Sequence, residues 1–140
     1  MARWVRTVEI NATPAHVWNV MADVEKWPQW AASILSVEKD GSDLGNGGSA
    51  VVHAKGAPRS RWTVTKWEPG HGFDWETKAR GAKTVGGHWI DAAGPGKSCV
   101  TLTIEVQGAL AGLFKPLIGK GIQQNLQMEA EGLKRQSEAA

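Results

Sequence analysis

Residues 110–135 are the only stretch long enough to be a helix spanning the whole domain, and that helix dictates what the rest of the chain has to be. Ile118, Ile122, Leu126 and Leu133 follow one another at spacings of four, four and seven, which places them on one helical face. A helix with a single apolar stripe needs a second layer to cover it. Glu129 falls on the same stripe, where another apolar residue is expected; it either sits at the edge and reaches water or turns its carboxylate inward. In the first half, Gly112, Pro116, Gly119 and Gly121 weaken the helical ladder, so a kink or a mobile turn is expected there. Leu110, Leu113, Phe114 and Leu117 form a second apolar patch, turned by roughly a third of a revolution from the first. A kink would bring the two patches onto one surface, as a lid or as a frayed end.

The preceding residues read as the covering layer. Residues 3–10 alternate, with Val8 and Ile10 on one side and Thr7 and Glu9 on the other, which predicts a first strand. Thr13-Pro14 supplies an N-cap and a favoured first residue for a short helix through Met21. Asp23 can cap a second short helix, and Trp27-Pro28-Gln29-Trp30 breaks and restarts the helical run, since the residue before a proline is pushed out of the α region. From Ile34 onward the period changes to two, punctuated by turns at residues 41–48, 55–58, 69–72, 80–81 and 94–97. The clearest alternations set Phe73, Trp75 and Thr77 against Asp74, Glu76 and Lys78, and Val100, Leu102, Ile104 and Val106 against Cys99, Thr101, Thr103 and Glu105. The expected fold is therefore α+β: an antiparallel sheet of about seven strands, two short helices after the first strand and one long C-terminal helix. A strongly curved sheet would leave a gap beside that helix, and such gaps bind small apolar molecules.

Length and composition narrow the function. At 140 residues the chain is expected to be one domain, residues 1–140, able to bury about two-thirds of its extended surface. It carries neither an apolar run of membrane-spanning length nor a signal pattern, so a cytoplasmic location without stable membrane insertion is expected. The single Cys99 and four scattered histidines argue against an internal disulfide and a metal site, and no cofactor is expected. Residues 51–90 hold Lys55, Arg59, Arg61, Lys66, Lys78, Arg80 and Lys83 against Glu68, Asp74 and Glu76. These charges alternate with apolar residues, as on the solvated face of a sheet, and nucleic acid is not an expected partner. Eight Trp with no Tyr and two Phe exceed what packing needs, so several Trp are expected to line a pocket or its mouth.

Other motifs are set aside. Gly94-Pro95-Gly96-Lys97-Ser98 ends like a phosphate-binding loop, but position 91 is Asp and a strand comes next, so a hairpin turn is expected. No Gly-x-Ser-x-Gly elbow is present. His88 shares a strand face with Ile90, and His53 with Val51. Each is either a ligand-orienting or proton-moving group at a cavity, or a hydrogen-bonded core or edge histidine. His16 and His71 are expected at the surface.

Taken in order, these elements resemble the START-like or SRPBCC superfamily, and within it the polyketide cyclase/dehydrase group of small bacterial proteins. The resemblance covers nearly the whole chain. It rests on Val8-Glu9-Ile10-Asn11-Ala12 followed by Pro14 and Val17-Trp18, then Asp23 with Trp27 and Trp30; Trp75, the His88 strand, residues 98–108 and the Gly-x-Leu-x-x-Leu-x-x-Pro-Leu opening of the last helix complete it. It implies a helix-grip fold, in which a curved antiparallel sheet grips the long helix around an elongated cavity, and a hydrophobic ligand such as a lipid, sterol or polyketide. Trp27, Trp30, Trp62, Trp75, Leu117, Ile122 and Leu126 are the expected walls, and His88, His53 and Glu129 the expected polar contacts. Two other functions stay open: a polyketide cyclase or dehydratase in which His88 moves a proton, and a protein-interaction module whose basic middle strands hold an acidic partner.

Overall fold

The long helix is present and the sheet curls around it. The structure, a computed structural model, describes residues 2–41, 43–79, 81–108 and 111–139, without the side chains of residues 111–117. Strand β1 (Ala2–Ile10) leads into helix α1 (Pro14–Ala22) and a 3-10 helix (Val24–Gln29). Six strands follow: β2 (Ile34–Lys39), β3 (Ser49–Ala54), β4 (Ser60–Glu68), β5 (Gly72–Ala79), β6 (Ala82–Ala92) and β7 (Ser98–Gln107). Helix α2 (Ala111–Glu138) closes the chain. All neighbouring strands are antiparallel, in the order β1-β7-β6-β5-β4-β3-β2, and α2 packs closest against β1, β7 and α1. This curled sheet with a C-terminal helix in its grip is the helix-grip architecture.

Local chemistry explains the elements. Thr13 caps α1, its Oγ1 accepting from the His16 amide at 3.3 Å, with Pro14 as the first helical residue. The helix restarts after Asp23 and not at Pro28, which lies inside the 3-10 helix; a single short 3-10 turn tolerates a residue that cannot extend an α-helical ladder. The 94–98 segment is a hairpin: Gly94 and Gly96 have φ of +116° and +68°. The Ala93 amide donates to the Lys97 carbonyl at 3.0 Å, and the Lys97 amide to the Gly94 carbonyl at 3.1 Å. Helix α2 runs through Pro116 without an interruption of the helix, so no turn divides it there; one proline forfeits a ladder bond in a helix of 28 residues.

The core follows the alternations. Phe73, Trp75, Val100, Leu102 and Val106 face inward, as do Ala2, Trp4 and Ile10 on β1, and Leu126, Ala130 and Leu133 on α2. Trp18, Trp67 and Phe73 form an aromatic cluster under α1, with ring centroids 5.0 to 6.4 Å apart. On the outer sheet face Arg61 pairs with Asp40, Lys66 with Glu68 and Lys83 with Glu76. Among the described residues no helix is long and apolar enough to cross a membrane.

Candidate ligand-binding cavity

Between α2 and strands β3–β7 lies a cavity of about 570 Å³, in the range that holds a drug-sized molecule. Its position follows from packing. Helix α2 lies closest to β1 and β7, while the sheet curls so that β3–β6 stand away from the helix and line the far side. Trp27 enters from the 3-10 helix, Trp62 from β4, Trp75 from β5, and Gly86 and His88 from β6; Ile122, Asn125, Leu126 and Glu129 face them from α2. The mouth lies between the exposed β3–β4 connection, residues 55–58, and Ile118, which is 37% exposed.

The aromatic wall is continuous. Trp75 lies 5.3 Å from Trp27 and 5.7 Å from Trp62, centroid to centroid, and His88 lies 5.2 Å from Trp27. The Trp27 indole is fixed, since Nε1 donates to the Met21 carbonyl at 2.8 Å. A register shift between Val64 and Lys66 changes the phase of β4, so that Trp62 and Val64 point inward before it and Trp67 packs against Phe73 after it.

Two titratable groups face this apolar space. His88 is stacked on Phe73 at 4.4 Å, and its Nδ1 lies 3.4 Å from the Phe73 carbonyl oxygen. A carbonyl only accepts, so Nδ1 carries the proton and Nε2 is left as an acceptor. Burial lowers the His88 pKa to about 4, against a raising contribution from that carbonyl, and the ring is neutral at neutral pH. Glu129, half-buried on α2, is pushed up to about 7 by loss of water alone. Among the described residues it has no hydrogen-bond or ion-pair partner. Ser33 Oγ, buried in the cavity wall, is also without a partner among the described residues. Lys55 at the mouth is the one further charged side chain of the described lining. Among the described residues no cluster of His, Cys, Asp and Glu could hold a metal.

Of the expected site residues, Trp27, Trp62, Trp75, His88, Ile122, Leu126 and Glu129 come together here. Trp30 does not line the cavity. It is buried behind Trp27, 5.7 Å away, because the turn after the 3-10 helix directs it against α2 near Gly132. His53 shares a face with Val51 as expected, but Ala50, Val52 and Ala54 hold the inner face of β3 and His53 points outward. The Leu117 side chain lies outside the described residues. His16, expected at the surface, is half-buried, its Nε2 without a partner among the described residues, whereas His71 is exposed beside Glu68. Sequence reasoning missed Ser33, Thr84, Gly86 and Asn125. The alternation through His88 could have found Thr84 and Gly86, and the i, i+4 spacing to Glu129 could have found Asn125.

Comparison with known proteins agrees with this geometry. The family model described as "Polyketide cyclase / dehydrase and lipid transport" matches residues 1–138. No curated protein matches the chain. Among solved structures, the Zhui aromatase/cyclase of Streptomyces sp. R1128 superposes with a TM-score of 0.80 at 15% identity, over 98% of this chain and 93% of that one. A START superfamily protein of Mycobacterium smegmatis gives 0.75 at 17% identity, over 96% and 97%. A norcoclaurine synthase point mutant of Thalictrum flavum, in complex with a transition-state analogue, gives 0.75 at 13% identity, over 97% and 93%. At these identities the structures share the fold.

Proposed function

The chain belongs to the polyketide cyclase / dehydrase and lipid transport family, and from that premise we propose that it binds one small hydrophobic ligand, lipid-, sterol- or polyketide-like, between sheet and C-terminal helix. The carrying observation is the cavity itself: about 570 Å³ walled by three tryptophans and by Ile122 and Leu126, with a mouth at the surface. A chain that needed only a stable core would close such a space, since cavities in apolar interiors are costly. An indole wall faced by aliphatic side chains of α2 suits a flat or elongated apolar body.

Native mass spectrometry of the purified protein, and titration with the neutral apolar fluorophore N-phenyl-1-naphthylamine, test this. Trp62→Ala, which removes a half-buried wall residue, should weaken fluorophore binding by about tenfold with little change in melting temperature. Trp67→Ala, on the same strand but in the aromatic cluster under α1, should lower stability by about 3 kcal/mol and leave binding intact. Absence of any bound molecule, together with no saturable fluorophore binding, would remove the reading.

One observation favours a second reading, a polyketide cyclase or dehydratase. Glu129 has the pKa of about 7 that suits proton transfer near neutrality, whereas His88 at about 4 is a poor base there. In that reading Glu129, and not His88, moves the proton. Turnover of a poly-β-ketone substrate would survive His88→Gln and be lost in Glu129→Gln.

A further inference from the structure

The described polar lining mixes donors and acceptors, among which the Glu129 carboxyl is the one acidic group. Neutral His88 offers Nε2 as an acceptor, an ionised Glu129 accepts only, and Ser33 Oγ can do either. Around them stand the indole faces of Trp27, Trp62 and Trp75, whose π-surfaces attract both flat ring systems and cations. Glu129 lies eleven residues along α2 from Ile118 at the mouth, about 16 Å of helix rise. A ligand of extended shape entering past Ile118 can therefore place one end at this carboxyl.

We propose that the cavity is built for a ligand carrying a protonated amine on an aromatic or polycyclic body, the ammonium against the Glu129 carboxylate and the body among Trp27, Trp62 and Trp75. This rests on the ligand-binding reading and names the ligand class. Among the described lining residues the titratable groups besides Glu129 are His88 on β6, neutral, and Lys55 on the exposed β3–β4 connection. Neither makes a hydrogen bond or ion pair with Glu129, which has no partner among the described residues. A ligand ammonium supplies one, with a charge-assisted hydrogen bond about twice as strong as a neutral one. A ligand offering only a carbonyl would use the protonated carboxyl and leave His88 Nε2 unpaired, at a cost. Below about pH 7, where Glu129 is protonated, seating the ammonium displaces the Glu129 proton to solvent.

Calorimetric titration with 2-naphthylmethylamine and 2-naphthylmethanol, which share a body and differ in the polar end, tests the assignment. At pH 8 the amine should bind wild type at least about tenfold more tightly than the alcohol. At pH 5.5 that advantage should shrink and, in buffers of different ionisation enthalpy, up to one proton should be released per amine bound. Glu129→Gln should bind the two compounds alike. Equal affinities in wild type, an amine preference that survives Glu129→Gln, or affinity for the amine that rises as pH falls would each overturn the amine assignment, while alcohol binding would leave the cavity reading in place. The proton count uses wild type alone, so a poorly folded variant does not blunt the test; no release would also overturn it. If neither compound binds, the amine assignment falls, while the cavity reading is decided separately by native mass spectrometry and the fluorophore titration.

Discussion

Opposite Trp75 on the neighbouring strand stands Gly86, where a β-carbon would come within 3.2 Å of the indole Nε1 and 3.3 Å of Cδ1. Phe73, Trp27 and His88 hold the Trp75 ring on its other sides, so the side chain has room to give only toward the cavity. Gly86→Ala should therefore push the indole into the ligand space. The expected outcome is several-fold weaker binding of N-phenyl-1-naphthylamine with a stability loss of about 1–2 kcal/mol, read by titration and by thermal melting. At this scale the sequence was legible where alternation is strict: His88 and Trp75 lie on the faces their neighbours predict. It was not legible on β3, where Val51, Val52 and Ala54 give no clean polar face and His53 had no phase to follow.

Helix α2 is pinned at its C-terminal end. Lys134 Nζ donates to the Glu9 carbonyl at 3.1 Å, and the Glu138 carboxylate accepts from the Asn11 amide at 2.8 Å and from Lys134 at 2.6 Å. The Asn11 amide, with Lys134, holds the Glu138 carboxyl below its usual range. Just before these ties Gly132 meets the chain after the 3-10 helix so closely that a β-carbon would lie 1.8 Å from the Trp30 carbonyl oxygen. The obstruction is backbone, which cannot rotate aside as a side-chain tip can. Gly132→Ala should destabilise by about 3 kcal/mol in denaturant unfolding, although alanine is favoured over glycine in a helix by about 1 kcal/mol. The apolar stripe showed that a helix would pack here, but not that one of its contacts is made by a glycine, because glycine leaves no mark in a hydrophobic pattern. Toward its other end the same stripe divides by burial, from Leu133 at 1% exposed to Ile118 at 37%, and the divide falls where the cavity opens.

Across the described molecule a buried His88 and a half-buried Glu129 have titrations that oppose each other. His88 ionises near 6.5 when unfolded and near 4 when folded, so between those values the unfolded chain binds the extra proton and stability drops as pH falls. Glu129 ionises near 4.5 unfolded and near 7 folded, so between those values the folded chain binds the extra proton and stability drops as pH rises. In the shared window, about pH 4.5 to 6.5, the two slopes cancel. Relative to wild type, Glu129→Gln should lose stability as pH is lowered through that window, and His88→Gln should lose it as pH is raised, each by on the order of 1 kcal/mol per pH unit in urea titrations. Parallel profiles for all three proteins would refute the opposed pair. What the sequence by itself determined is the element order, the antiparallel sheet, the long helix and the inward set on β5 and β7, because each rests on a local period of 3.6 or 2. The tertiary structure alone decided which of the eight tryptophans are wall and which are core, that Trp30 and His53 stand away from the cavity, and that Glu129 faces it without a partner among the described residues. These depend on sheet curvature, on the phase change within β4 and on how far the helix stands from each strand, and no local pattern encodes such distances between elements.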